Sequence, residues 1–158
     1  MELRRVDSTN LWEIVALKVA KGQESFVASN TTSILEAYAA LASGGVAMPF
    51  GLYENGAPVG FAMIGFGCED WPEAPAIAHD TYNLWRFMID ERYQGRGLGR
   101  KGLEAVLAFI RTFPCGKADR VWLSYEPENE KARRLYQSFG FVETGEMDGN
   151  EFIAALEL

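Results

Sequence analysis

Gln94-Gly95-Arg96-Gly97-Leu98-Gly99-Arg100 is the stretch on which the reading of this chain turns. Three glycines at alternate positions let the backbone bend sharply and aim successive N–H groups at one point. Downstream, Leu103, Val106, Leu107 and Ile110 fall at i, i+3, i+4 and i+7, which predicts an amphipathic helix from about Leu98 to near Pro114. Its N-terminus brings the positive end of a helix dipole to the glycines. Arg96 and Arg100 add charge at the rim. The segment therefore has the parts of a phosphate or pyrophosphate cradle, and close packing alone does not account for the alternating arginines.

Two other glycine motifs compete for it. Gly97-Leu98-Gly99-Arg100-Lys101-Gly102 matches G-x-G-x-x-G, but no strand ending in an acid follows about twenty residues on, and Asp119 opens the next strand instead. A P-loop fails because Leu103-Glu104 follows Gly102 where lysine and a hydroxyl residue are required.

Outward from the turn, Tyr82 to Ile89 reads as a strand rich in aromatic residues, and Arg120 to Tyr125 as another. Asn129 opens a helix with Ala132, Leu135, Tyr136 and Phe139 at helical spacing, closed by Gly140. Phe141 to Met147 and Glu151 to Leu158 form a hairpin around Asp148-Gly149-Asn150. Upstream, Phe50 to Glu54 and Pro58 to Phe66 pair through Asn55-Gly56, a strong hairpin signal. The second of them is apolar almost throughout, as a central strand is. Glu2 to Val6 leans to β. Ser8-Thr9-Asn10 caps a helix through Leu11, Ile14, Val15 and Val19, and a second helix spans about Thr32 to Ala42 with Leu35, Tyr38 and Leu41 on one face. Cys68 to His79 reads as an exposed loop. The order β-α-α-β-β-β-α-β-α-β-β predicts one mixed α/β domain over residues 1–158.

The 158 residues, 48% apolar and 23% charged, suit one ordinary globular domain. A formal charge of −7 argues against sequence-independent nucleic-acid binding and favours cationic ligands. With one histidine, His79, and two cysteines, Cys68 and Cys115, neither a metal site nor a disulfide framework is expected. No apolar run is long enough to span a membrane, and no signal-peptide pattern follows Met1, so the expected location is the cytoplasm.

Gln94-x-x-Gly97-x-Gly99, behind an apolar strand, resembles the acetyl-coenzyme A signature of the GCN5-related N-acetyltransferase (GNAT) family. Its second half resembles Asn129-x-x-Ala132-x-x-Leu135-Tyr136-x-x-x-Gly140-Phe141. The element order over the whole chain is similar to that family's fold. The resemblance implies a mostly antiparallel sheet of about seven strands, flanked by about four helices, with the strand before the turn splayed from the one after it. The run from Trp85 to Gly95 further resembles a bacterial subgroup that includes spermine/spermidine acetyltransferases.

The resemblance implies roles residue by residue. The backbone of Phe87, Met88 and Ile89 would pair with the pantetheine arm, and one of its N–H groups would hold the developing oxyanion. Gln94, Gly95, Arg96, Gly97, Leu98, Gly99 and Arg100 would cradle the pyrophosphate. Asn129 and Ala132 would meet the pantetheine arm, although Asn129 serves equally as a plain helix cap. Lys131 and Arg133 either reach the nucleotide phosphates or lie solvated. Tyr136 would protonate the departing thiolate, without an unusual pKa shift. For the general base Glu126 is the first candidate, with Asp80, Glu24 and Glu54 as rivals. Glu24, Glu69, Asp70, Asp80 and Glu73 are candidate anchors for a cationic acceptor, and Trp71, Tyr82 or Trp85 would add a cation–π contact. The expected reaction is direct acetyl transfer from acetyl-coenzyme A to a primary amine, a polyamine first; a protein N-terminus, an amino acid or an aminoglycoside is the alternative acceptor. A non-catalytic coenzyme-A sensor is the rival from another class. A homodimer is expected only from the resemblance.

Overall fold

The computed structural model describes residues 1–67 and 74–158. Cys68, Glu69, Asp70, Trp71 and Glu73, to which the sequence assigns a loop and acceptor contacts, lie outside the described residues. In chain order come β1 (Glu2–Arg5), α1 (Leu11–Val15), α2 (Asn30–Ala42), β2 (Val46–Glu54), β3 (Ala57–Phe66), β4 (Tyr82–Ile89), α3 (Leu98–Ile110), β5 (Arg120–Tyr125), α4 (Glu130–Gln137), β6 (Val142–Asp148) and β7 (Glu151–Glu157). Among the described residues the strands form one seven-stranded sheet, ordered β1-β2-β3-β4-β5-β7-β6. Every pair is antiparallel except β4 with β5. This is the mixed α/β sheet that the element order predicts.

β3 explains the layering. Phe61 and Met63 pack with Ile14, Leu17, Ala37 and Ala40 of the N-terminal segment on one face. Ala62 and Ile64 pack with Leu103, Val106, Leu107 and Ile110 of α3 on the other. Burial on both faces is why the strand is written almost without polar residues, and each large side chain so buried contributes about 1.5–3 kcal/mol. Asn55 (φ 52°) and Gly56 (φ 79°) both adopt positive φ, the twist-matched turn that Asn-Gly specifies.

One N-terminal expectation needs correction. The first helix stops at Val15 instead of reaching Val19, because the Lys18 N–H turns away to the Asp90 carboxylate, 3.0 Å. The second helix buries Ser33, Ala37 and Ala40, while Leu35, Tyr38 and Leu41 face outward. Small residues let this helix lie close to the sheet, where Asn30 Nδ2 donates to the Ile14 carbonyl at 2.8 Å.

The feature that positions the site is the failure of β4 and β5 to stay paired. Only Tyr82 with Val121 and Asn83 with Trp122 are in register. On the other side of β4, Met63 stands opposite Arg86 and Ile64 opposite Leu84, which leaves Trp85 as the extra residue of a bulge. A bulge bends its strand and raises its twist. Beyond it β4 leans toward β3 and away from β5. The contact with β3 is so close at Gly60 that a Cβ there would lie 2.4 Å from the Met88 carbonyl oxygen.

Candidate active site

The parted strands open a cleft of about 500 Å³. Leu84 to Ile89 form one wall, Ser124 and Tyr125 the other, with Gln94, Gly95 and Gly99 at one end. Asn129, Lys131, Ala132, Leu135 and Tyr136 of the α4 region close it, and Gln23 and Ser25 to Ala28 cover it. A second, wider cavity of about 980 Å³ lies beside it, lined by Glu36, Asp80, Glu126, Asp148 and Asn150 among others. Trp85, Arg86, Ser124 and Glu151 line both. They mark the junction between the two spaces.

At the glycine end, Gly97 is the cap residue of α3, left-handed at φ 74°, and supplies no side-chain hydrogen bond. The first N–H of the helix to return to it is that of Lys101, 3.3 Å from the Gly97 carbonyl. Leu98, Gly99 and Arg100 therefore begin the helix with N–H groups that no side chain caps. A Cβ at Gly95 or Gly97 would meet nothing within 4 Å. Donors and open space together fit a diphosphate. Gln94 fixes the turn from below, with Nε2 donating to the Ile89 carbonyl (2.9 Å) and to Gln23 Oε1 (2.8 Å).

The other expected coenzyme contacts sort cleanly. Phe87, Met88 and Ile89 line the cleft. The Leu98 side chain belongs to the core, so only its backbone faces the turn. Arg96 lies over the Tyr93 ring, and Arg100 lies over Phe139 with Nη2 3.3 Å from Ser138 Oγ. Asn129 is a helix cap, accepting from the Ala132 N–H at 3.2 Å, and also lines the cleft. Arg133 is a correction. It pairs with Glu143 at 2.9 Å and does not line the cleft, because its helix position turns it toward β6 and β7.

Tyr136 lies deep in the cleft, packed on Tyr125 and Phe141 at ring separations of 5.7 and 5.8 Å. Burial first, then Glu151 and Tyr125, pushes its phenol well above the ordinary value. In contrast to the unshifted phenol that the resemblance implies, this one stays protonated across the working range and is a weaker acid than a free tyrosine.

The residues expected on the acceptor side take different places. Trp85 lines both cavities and Asp80 and Glu126 line the wider one. Tyr82 is a correction: it is fully buried, donating to the Gly116 carbonyl at 2.9 Å and accepting from the Cys115 N–H at 3.0 Å. Glu24 is another, an exposed residue accepting the Gly22 N–H at 2.6 Å and lining neither cavity. Glu54, a rival base, is held by the N-terminal amine (3.3 Å) and Lys101. Cys115 is half-buried and burial pushes its thiol up, against a nucleophilic role.

Glu151 was not singled out by the sequence. It opens β7 and accepts from Ser124 Oγ at 2.5 Å. Burial, reinforced by Glu126 and Asp148, pushes its carboxyl up against the opposing pull of Ser124 and Arg86. The hairpin around Asp148-Gly149-Asn150 was readable. What hid Glu151 was the non-local register of β7 against β5, where Ser124 faces Ile153 and Tyr125 faces Phe152.

Among the described residues no cluster of three metal-ligating side chains exists, and no helix is long and apolar enough to cross a membrane.

The parted strands, the uncapped helix start at a glycine bend and a phenol in the gap together define an acyl-transfer fold. Residues 15–141 match the model of the Acetyltransferase (GNAT) family, and the chain belongs to that family as an acetyltransferase. It is 36% identical over 154 residues to the spermine/spermidine N(1)-acetyltransferase of Bacillus subtilis (strain 168), spanning 95% of this chain and 93% of that protein. It is 34% identical over 107 residues to the L-amino acid N-acyltransferase MnaT of Escherichia coli (strain K12), 66% of this chain and 57% of that one. Its fold is similar to that of aminoglycoside acetyltransferase AAC(6')-Ib in complex with coenzyme A, with a TM-score of 0.79 at 18% identity over 98% of this chain and 93% of the other.

Proposed function

We propose that the protein acetylates a primary amine of a polyamine, with acetyl-coenzyme A as donor, by direct transfer while both substrates are bound. The observation that carries this reading is the junction of two cavities: a narrow cleft ending in a glycine-lined helix start, and a wider acid-lined one. The donor supplies an acetyl group activated as a thioester. Backbone N–H groups from Gly95 to Arg100 would bind its diphosphate, with Lys131 nearby. The Phe87–Ile89 backbone would align its arm and polarise the carbonyl. Tyr136 would hold a proton for the departing sulfur.

The wider cavity supports a cationic acceptor. Among the described residues its lining holds the acids Glu36, Asp80, Glu126, Asp148 and Glu151, against Arg86, which is itself paired with Glu36 at 2.8 Å. Trp85 at its edge offers a ring face for an ammonium group. The overall charge of −7 adds long-range attraction. The Bacillus subtilis relatives, named for spermine or spermidine acetylation, agree with that choice. The proposal includes a cytoplasmic location and a homodimer, the latter testable by light scattering.

The test is thiol release from acetyl-coenzyme A with spermidine, spermine, free lysine and a peptide N-terminus. Acceptor-dependent thiol with the polyamines, at the lowest KM of the panel, is expected. Tight coenzyme binding with no acceptor-dependent thiol would make the protein a sensor and overturn the reading.

A further inference from the structure

Among the described residues, Glu36, Asp80, Glu126, Asp148 and Glu151 are the acids that line the wider cavity, and of these only Glu151 also lines the narrow cleft. Its place follows from strand alternation. Tyr125 on β5 packs on Tyr136, so its neighbour Ser124 points to the opposite face of the sheet. Ser124 Oγ holds Glu151 at 2.5 Å on that face. Tyr136 and Glu151 therefore approach the gap between β4 and β5 from opposite sides, close enough to interact electrostatically. That is the geometry that amine attack on a carbonyl requires: a proton acceptor on the entering side and a proton donor on the leaving side.

We infer that the Glu151 carboxylate is the general base that takes the proton of the attacking amine, with Ser124 as its positioning residue. The inference rests on the proposed amine acetylation and assigns a role at that same site. The amine lone pair forms the new C–N bond while an N–H proton passes to Glu151. The C–S bond breaks with its electron pair on sulfur, which takes the Tyr136 proton. The proton gained by Glu151 and the one lost by Tyr136 then cancel through solvent. A carboxylate suffices because an amine nitrogen becomes far more acidic as it bonds to the acyl carbon. The charged and titratable groups facing Glu151 are Arg86 on β4, Glu126 after β5, Tyr136 on α4 and Asp148 on β6. Glu126, the candidate drawn from sequence, lines the wider cavity alone.

The test compares wild type, Glu151→Gln and Ser124→Ala with spermidine, reading kcat against pH, coenzyme A affinity by calorimetry, and carboxyl titration by infrared difference spectroscopy. Glu151→Gln is expected to lower kcat about 100-fold or more, with coenzyme affinity kept within about threefold. Its acidic pH limb and one upward-shifted carboxyl band should vanish together. Ser124→Ala removes a hydrogen bond to the charged form and should move that limb and band to higher pH while keeping both. Glu151→Gln with kcat within about threefold of an active wild type, or with the limb intact, overturns Glu151 alone. A wild type silent toward every amine overturns the acetylation reading and the base assignment with it.

Discussion

In the proposed reaction Tyr136 and Glu151 would carry opposite tasks with one physical device, removal from water. Desolvation disfavours the charged form of each, so the phenol stays protonated and the carboxylate becomes a better proton acceptor. Tyr136→Phe should therefore lower kcat about 100-fold while leaving coenzyme affinity nearly unchanged, by steady-state kinetics and calorimetry; unchanged kcat removes the acid role. The Glu151 shift also has a stability consequence. The folded state binds this proton more tightly than the unfolded chain does, so the carboxyl's contribution is fully present below its ordinary value of 4.5 and is lost as pH rises through the raised one. Glu151→Gln should melt at a higher temperature than wild type at pH 8, and the difference should shrink at pH 4. A variant melting lower at pH 8 contradicts a desolvated carboxylate.

At the scale of elements, the bend from Gln94 to Gly99 and the splay of β4 work as one unit. Gly97→Glu places a negative side chain where the diphosphate would sit, at a φ of 74° that disfavours any side chain. Coenzyme binding should disappear, with the melting temperature lowered by only a few degrees; retained affinity contradicts the cradle. Asp90, at the end of β4, anchors the same region. It accepts from the N–H groups of Lys18 (3.0 Å) and Arg92 (3.1 Å) and pairs with the Arg92 side chain. Burial raises its carboxyl, but these partners outweigh burial and hold it below the usual range. Asp90→Ala should cost roughly 2 kcal/mol, about 4–8 °C in melting temperature. This element was legible in part. Alternating glycines and the helical spacing of Leu103, Val106, Leu107 and Ile110 are local signals, and they gave the turn and α3 directly. The bulge at Trp85 and the tether from Lys18 to Asp90 depend on partners distant in sequence, so no local pattern carries them.

For the whole molecule, an acid-lined cavity in a chain of net charge −7 would make capture of the proposed polyamine electrostatic. The KM for spermidine should rise several-fold between 50 and 500 mM salt, roughly the range over which screening shortens the Debye length from about 14 to 4 Å. The KM for acetyl-coenzyme A, which the proposed cradle would hold mainly through backbone N–H groups, should move less. Equal sensitivity would count against a polycationic acceptor. The two hairpins and the central place of β3 were readable because β3 is apolar throughout and the turns are written as Asn55-Gly56 and Asp148-Gly149, whereas the insertion of β7 between β5 and β6 is a non-local pairing that no short pattern carries. Tyr82 misled because composition tells which residues can bury, but packing decides which of them are buried. Leu35, Tyr38 and Leu41 face outward because Ser33, Ala37 and Ala40 allow the closer approach.

The most direct trial of the whole account is a crystal structure of the protein with acetyl-coenzyme A. The diphosphate should lie within hydrogen-bond distance of the N–H groups between Gly95 and Arg100, with the thioester between β4 and β5 and its sulfur against Tyr136. A ligand bound elsewhere, with the strands zipped together beyond Asn83 and Trp122, would contradict it.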